Sequence, residues 1–257
     1  MRYHLKIEGA LEFPVESGYV AGSLFYKILE YGNGSLAKQL HEAARPKLVS
    51  VSRLIPAGAR HTIRSHRGNF CCDQCILTVA TPLNVGPIIG GSLGAEVPLN
   101  GSRLTGKVAG FQATALPEFG EDEYWDVRSV LTRGRDKRFL QPVTEEQRQI
   151  CSEAIAANVR GRFRLLAEES ETASLAREWS GARDPASWLQ DQKIEASVLP
   201  GAGTNGYTVK RGVVLPAWSG IIRLRAHPAF QKTVWCAGLG AKTALGAGFC
   251  DRLQPQR

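Results

Sequence analysis

Along the first eight residues apolar and polar positions alternate. Tyr3, Leu5 and Ile7 fall on one face of a strand, and His4, Lys6 and Glu8 on the other. From Ser17 the period becomes helical, with Val20, Leu24 and Ile28 in a stripe and Phe25 and Leu29 beside it. Gly32-Asn33-Gly34 stops this helix, and Ser35 restarts a shorter one with Leu36 and Leu40 inward, ended by Pro46. Strands are expected over Leu48–Leu54, Arg60–His66, Phe70–Thr78 and Arg103–Ala115. No residue from Ile76 to Ala95 is charged, but Pro82, Pro87, Gly86, Gly90, Gly91 and Gly94 would break a membrane helix, so the stretch reads as strands and turns. The acidic, Pro- and Gly-containing stretch Pro117–Glu123 reads as a linker.

Beyond it the pattern begins again, with a strand expected over Asp126–Leu131. Thr144-Glu145-Glu146-Gln147 is a capping box opening a long helix whose inner stripe is Ile150, Ile155, Val159, Phe163 and Leu166. Further strands are expected over Gln192–Leu199, Gly206–Leu215 and Ala217–Leu224. Pro228 suits the first turn of a helix to about Ala237, and Gly248–Leu253 closes as a strand. The order β-α-β-β-α-β is ferredoxin-like, and the first half starts in the same way. The expected architecture is therefore α+β: two tandem ferredoxin-like (RRM-like, βαββαβ) domains, residues 1–122 and 123–257. Glu168–Trp188 reads as an insertion with partial helix and no legible role.

Composition narrows the setting. The 257 residues are 43% apolar and 22% charged, which excludes a disordered, collagen-like or coiled-coil chain. A net charge of +8 favours a polyanionic partner without identifying it. The alternating start has no apolar signal core, and six cysteines without an export signal fit free thiols in a reducing cytoplasm. Cys71, Cys72 and Cys75 after His61 and His66 allow a zinc site, although only Cys72 and Cys75 have knuckle spacing; buried thiols are the simpler reading.

Two constellations could carry chemistry. Gly238-Leu-Gly-Ala-Lys-Thr-Ala-Leu-Gly-Ala-Gly-Phe249 places Gly238, Gly240, Gly246 and Gly248 where backbone N–H groups could cradle a phosphodiester, with Lys242 and Thr243 adding a charge and a hydroxyl. A nucleotide P-loop is a poor match, since Ala241 precedes the lysine and too little chain follows for an α/β core. Tyr26 and His41 lie off the buried stripes of their helices and could meet Lys47 in one crevice. Histidine exchanges protons near neutral pH, lysine can neutralise a phosphorane, and a tyrosine hydroxyl can orient a ribose 2′-OH.

On these residues the chain resembles the CRISPR-associated repeat-processing endoribonucleases of the RAMP superfamily, from end to end. The glycine loop Gly238-Leu-Gly240…Gly246-Ala-Gly248-Phe249 is similar to that family's C-terminal signature. Leu40-His41-Glu42 with Lys47–Ser52, Ser129-Val130 with Arg133–Arg138, Asn158-Val-Arg160 and Ala217–Gly220 fit its other patterns. Tyr26, His41 and Lys47 have the spacing of its Tyr-His-Lys triad; Cys250 departs from the commoner small residue.

The resemblance implies cofactor-free, metal-independent cleavage of precursor CRISPR RNA within its repeats. His41 would act as general acid or base, Tyr26 would position the 2′-OH or serve as partner base, and Lys47 would stabilise the phosphorane. Basic residues, singly no more than solvated faces, fit as a set an RNA path read through phosphates: Arg128 and Arg133 after the linker, and Lys210, Arg211, Arg223 and Arg225 flanking strands near the glycine loop. Arg135, Lys137, Arg138, Arg160, Arg162 and Arg164 belong to the same expected grip. CRISPR repeat RNA is the expected partner and an interference complex the expected recipient, with no membrane involved. The alternatives are a RAMP-type subunit that holds CRISPR RNA without cutting it, and a metal-dependent protein built on His61, His66 and Cys71–Cys75.

Overall fold

The computed structural model describes residues 1–42, 47–58, 63–66, 68–98, 105–133, 138–208 and 213–254; of His41, Arg133 and His66 it describes the backbone alone. The chain divides into two compact units, Met1–Ala115 with Ala244–Gly246, and Leu116–Thr243 with Ala247–Arg257. The division thus falls before the expected linker, and three residues of the glycine loop count with the first unit.

The first unit runs β1 (Arg2–Pro14), α1 (Gly18–Glu42), β2 (Ser50–Val51), β3 (Ile55–Ala57), β4 (Arg64–His66), β5 (Asn69–Ala80), α2 (Gly86–Gly91), β6 (Glu96–Pro98) and β7 (Thr105–Thr114). Its antiparallel sheet has the order β2-β5-β1-β7-β6, with β3 and β4 also on β5. The alternation in β1 sends Tyr3, Leu5, Ile7, Leu11 and Phe13 into the core, where they meet Leu24, Phe25, Ile28 and Leu29 of α1. Asn33 interrupts α1 with non-helical φ −163° and ψ 90°, as Gly32-Asn33-Gly34 led us to expect. Two expectations need correction. Of Leu48–Leu54 only Ser50–Val51 pairs as a strand, and the uncharged stretch contains helix α2. That helix forms despite its glycines because Ile89 is fully buried and Gly32 of α1 packs against Ile88.

The second unit contains β8 (Asp122–Ser129), β9 (Leu131–Arg133), β10 (Arg138–Leu140), α3 (Glu145–Glu168), α4 (Ala173–Ser180), α5 (Pro185–Gln190), β11 (Ile194–Val198), β12 (Gly203–Thr208), β13 (Val214–Ala226), α6 (Pro228–Ala237) and β14 (Cys250–Leu253). Its sheet order is β11-β13-β8-β14, with β12 also on β13 and β9–β10 as a separate ribbon. Together with α3 and α6 this is the ferredoxin-like β-α-β-β-α-β arrangement. The capping box forms: Thr144 Oγ1 accepts from Gln147 N at 3.2 Å, and Thr144 N donates to Gln147 Oε1 at 3.1 Å. Trp125 is fully buried, its indole N–H donating to Gln231 Oε1 at 3.0 Å.

The first strand of this unit starts at Asp122, earlier than expected, and the strand expected over Gly206–Leu215 is divided between β12 and β13. The insertion forms α4 and α5, which pack on the helical layer. Trp188 stacks on Phe230 at 5.4 Å between centroids and meets the edge of His227 at 5.0 Å, so the segment extends the core.

Candidate active site

Tyr26 lies on α1 just off the buried line of Leu24, Phe25 and Ile28, half-buried. Lys47 Nζ donates to its hydroxyl oxygen at 2.9 Å and sits 5.1 Å from the ring centroid. The residue after Lys47 is fixed by Thr81, whose hydroxyl donates to the Leu48 carbonyl at 2.9 Å. The Tyr26 hydroxyl is also 3.5 Å from the carbonyl oxygen of Leu40, the residue before His41. Burial pushes the phenol up to about 12, so it is protonated throughout the neutral range. Two of the three expected catalytic residues are thus in direct contact, and the backbone of the third adjoins a group that Tyr26 touches. The His41 side chain lies outside the described residues.

The same ridge of α1 begins with Gly18 and Gly22, two turns and one turn before Tyr26. Within the first unit these two glycines seat Ala244–Gly246: a Cβ on Gly22 would lie 2.7 Å from both Ala244 O and Leu245 Cα. Ala244 is accordingly buried in the first core.

In the second unit the rest of the glycine loop is held by α3. Arg162, only 2% exposed, donates through Nη1 to Ala237 O at 2.8 Å and through Nη2 to Gly240 O at 2.7 Å. Asn158 Oδ1 accepts from Gly240 N at 2.9 Å and from Arg162 Nε at 3.1 Å. Burial lowers the Arg162 pKa to about 10, which still leaves it charged. Gly240 and Gly248 both have positive φ, and side chains there would collide with Ser129 Oγ and Val130 O, or with Leu239 O. The chain's own close packing therefore requires these glycines, a reason that spacing alone does not show. Thr243 is buried, with Arg162 Nη2 donating to its hydroxyl at 3.4 Å, whereas Lys242 is exposed at φ 61°. Gly238 C-caps α6, its N–H donating to Val234 O at 2.9 Å.

The remaining basic residues take different places. Arg223 grips Asp122 in a bidentate pair at 2.8 and 2.5 Å, and Arg225 Nε reaches the same carboxylate at 3.3 Å. Those hydrogen bonds, Arg223's first, hold the Asp122 carboxyl down at about 2. Arg128 contributes its carbonyl to Gly248 N at 2.6 Å. Arg133 is described by backbone alone, and Lys210 and Arg211 lie outside the described residues, as do Arg135 and Lys137. Arg160 and Arg162, grouped by sequence with the RNA grip, serve the fold instead. Arg160 donates to Leu189 O at 2.6 Å and to Gln192 O, closing the end of α5. Asn158 and Arg162 are what sequence reasoning missed as the loop's supports. Their four-residue spacing on one helix face was visible, but their partners lie far along the chain.

Burial raises the Cys72 thiol and pushes that of Cys75 up to about 12, which disfavours the thiolate form that binds metal. Among the described residues no group of three or more His, Cys, Asp or Glu could hold a metal ion, and no helix is long and apolar enough to cross a membrane. His61 and the His66 side chain lie outside the described residues.

Comparison with known proteins follows the same lines. No curated protein matches the chain in sequence. Residues 128–252 match the family model of the CRISPR associated protein Cas6, C-terminal. Among solved structures, a CRISPR associated protein Cas6 superposes with TM-score 0.71 at 15% identity, over 99% of each chain. A RAMP protein binding different RNA substrates gives 0.66 at 17% identity, covering 99% of this chain and 100% of the other. The product of a Cas6-related gene from Pyrococcus furiosus gives 0.66 at 16% identity, over 100% and 99%. Residues 128–252 thus match the C-terminal part of the Cas6 family, and over its whole length the chain has the two-domain ferredoxin-like fold of Cas6 structures.

Proposed function

We propose that the protein is an endoribonuclease that cuts precursor CRISPR RNA within its repeats, by attack of the ribose 2′-OH on the adjacent phosphate. The observation that carries this reading is the Lys47–Tyr26 hydrogen bond of 2.9 Å beside the helical arm that bears His41. In the reaction the 2′-oxygen forms a bond to phosphorus and the bond from phosphorus to the 5′-oxygen breaks. The products are a 2′,3′-cyclic phosphate, or the 3′-phosphate from its opening, and a 5′-OH. With its phenol raised to about 12, Tyr26 stays protonated and orients the 2′-OH by hydrogen bonding. His41 takes the 2′-OH proton, Lys47 offsets the charge that builds on the phosphorane, and the departing 5′-oxygen takes up a proton from water to leave the 5′-OH. These side chains supply proton transfer and charge neutralisation without a metal ion.

RNA is gripped by the exposed Lys242 of the loop and by Arg128, Arg133, Lys210, Arg211, Arg223 and Arg225, through phosphates. Gly238, Gly240, Gly246, Gly248 and Thr243 serve that grip by fixing the loop's shape. The RNA binding stated of a structural neighbour supports this partner, and the mature RNA would pass to an interference complex.

The test is incubation with labelled CRISPR repeat RNA in EDTA, beside a copy carrying a 2′-deoxy at the cut position. A single cut that survives EDTA and vanishes with the deoxy sugar supports the proposal. Binding without cutting, across repeats from one genome, would replace it with a RAMP subunit that holds RNA only.

A further inference from the structure

We propose that Asn33 is a positioning residue: its side chain aims the arm that ends in His41 at Tyr26 and Lys47. The inference rests on the catalytic reading of those three residues. In an unbroken α-helix Tyr26 and Leu40 would stand about 21 Å apart along the axis, far beyond the reach of a tyrosine side chain. The Tyr26 hydroxyl is instead 3.5 Å from the Leu40 carbonyl oxygen. The chain must therefore turn back between them, and its one non-helical residue there is Asn33.

The two arms of α1 are anchored differently at the break. The first ends firmly: Gly32 packs so closely on Ile88 that any side chain would collide with its carbonyl oxygen, and the Tyr31 hydroxyl donates to Glu96 O at 2.8 Å. The second starts with Asn33 Oδ1 accepting from Leu36 N at 3.0 Å, which is N-cap geometry. Asn33 is exposed, and its φ of −163° is extended backbone open to any residue. Alanine there removes the cap without putting a larger side chain in its place. Leu36 and Leu40 still bind the arm to the core, so the loss shows as misalignment rather than unfolding. Small misplacements matter, because a shift of about 1 Å at a reacting group can cost up to about a hundredfold in rate.

The experiment compares Asn33→Ala and Asn33→Asp with the wild-type full chain, each measured for single-turnover cleavage of repeat RNA and for RNA affinity. A third readout is the NMR signal of tyrosine labelled with ¹³C at Cζ, with the Tyr26 signal assigned through Tyr26→Phe. Asn33→Ala should cut about tenfold more slowly with affinity within about twofold, and should move the Tyr26 signal. Asn33→Asp, which can still cap, should restore both. If His41→Ala is inactive while Asn33→Ala cuts at the wild-type rate with an unmoved Tyr26 signal, the inference is wrong and the catalytic reading stands. A wild-type chain that binds repeat RNA but does not cut it overturns the catalytic reading, and this inference with it.

Discussion

Arg162 and Gly240 are 78 residues apart in sequence, yet the guanidinium of one donates to the carbonyl of the other at 2.7 Å. Asn158, one turn earlier on α3, accepts the Gly240 N–H at 2.9 Å. Both backbone hydrogen-bonding groups of one glycine are thus held by a single turn of a helix. The loop keeps its shape through α3 as much as through its own glycines.

Removing the clamp should therefore unfold more than the loop. Arg162→Ala leaves Ala237 O and Gly240 O without their charged donor, and charge-assisted bonds to buried acceptors contribute about 1.5–3 kcal/mol each. A loss of about 3 kcal/mol or more is expected in urea unfolding followed by tryptophan fluorescence. Arg162→Lys should recover only part of it, because an ammonium cannot span two carbonyls as a planar fork does. A loss under about 1 kcal/mol for the alanine variant would show that the loop supports itself.

Two glycines in helices should respond in opposite directions to alanine. Intrinsic propensity favours alanine by about 1 kcal/mol inside a helix. At Gly161 of α3 nothing lies within 4 Å of the added Cβ, so propensity wins and Tm should rise. At Gly22 the Cβ would meet Ala244 O and Leu245 Cα at 2.7 Å, both backbone atoms that cannot rotate away. Overpacking of that kind costs about 1–3 kcal/mol, and Tm should fall. Calorimetry on the two variants decides it; a stabilised Gly22→Ala would mean that Ala244–Gly246 is not seated on α1.

Acid should weaken the start of α6. His227 is its N-cap: Nδ1 accepts from Ala229 N at 3.2 Å, which requires an unprotonated nitrogen. Burial lowers the His227 pKa, with Glu121 opposing and Lys232 assisting. The unfolded chain consequently binds the proton first as pH falls. The cap's contribution is complete above about pH 6.5 and is lost as pH drops toward the lower folded value. An N-cap contributes about 1 kcal/mol, so Tm should fall by roughly 2–4 °C between pH 7.5 and 5.5 from this group. His227→Asn, which caps without titrating there, should remove that part of the slope; an unchanged slope would place its source elsewhere.

How far these features were legible depends on how local their causes are. The Thr144–Gln147 box, the Pro228 start of α6 and the break at Asn33 are set by neighbours within a turn, and each appeared where the sequence predicted it. Helix α2 was hidden because its Gly-Pro-Gly-Gly composition argues for turns, and what holds it is packing against Gly32 and the burial of Ile89. Alternation continues through residues 206–215, so periodicity alone could not show that β12 ends before β13 begins. Arg162 looked like a solvated cation on a basic helix face; its burial follows from carbonyls that sequence does not place beside it. Of the expected triad, the contact between Tyr26 and Lys47 is the part that the described side chains include.

The burial of the Tyr26 phenol makes the proposed roles of Tyr26 and His41 separable by experiment. Were Tyr26 the base, its phenol at about 12 would make the cleavage rate climb with pH through the whole neutral range and beyond pH 9. With His41 as the base, the rate should rise only on the acid side and be flat by pH 9. We expect the second profile in single-turnover reactions run in EDTA from pH 5 to 9. Tyr26→Phe should keep the low-pH limb and lower the plateau by about a hundredfold, since it removes the hydroxyl that Lys47 engages and that orients the nucleophile. His41→Ala should abolish the limb together with most of the activity. A wild-type rate still climbing tenfold per unit at pH 9 would transfer the base role to Tyr26, and Lys47 would then act by holding the phenolate.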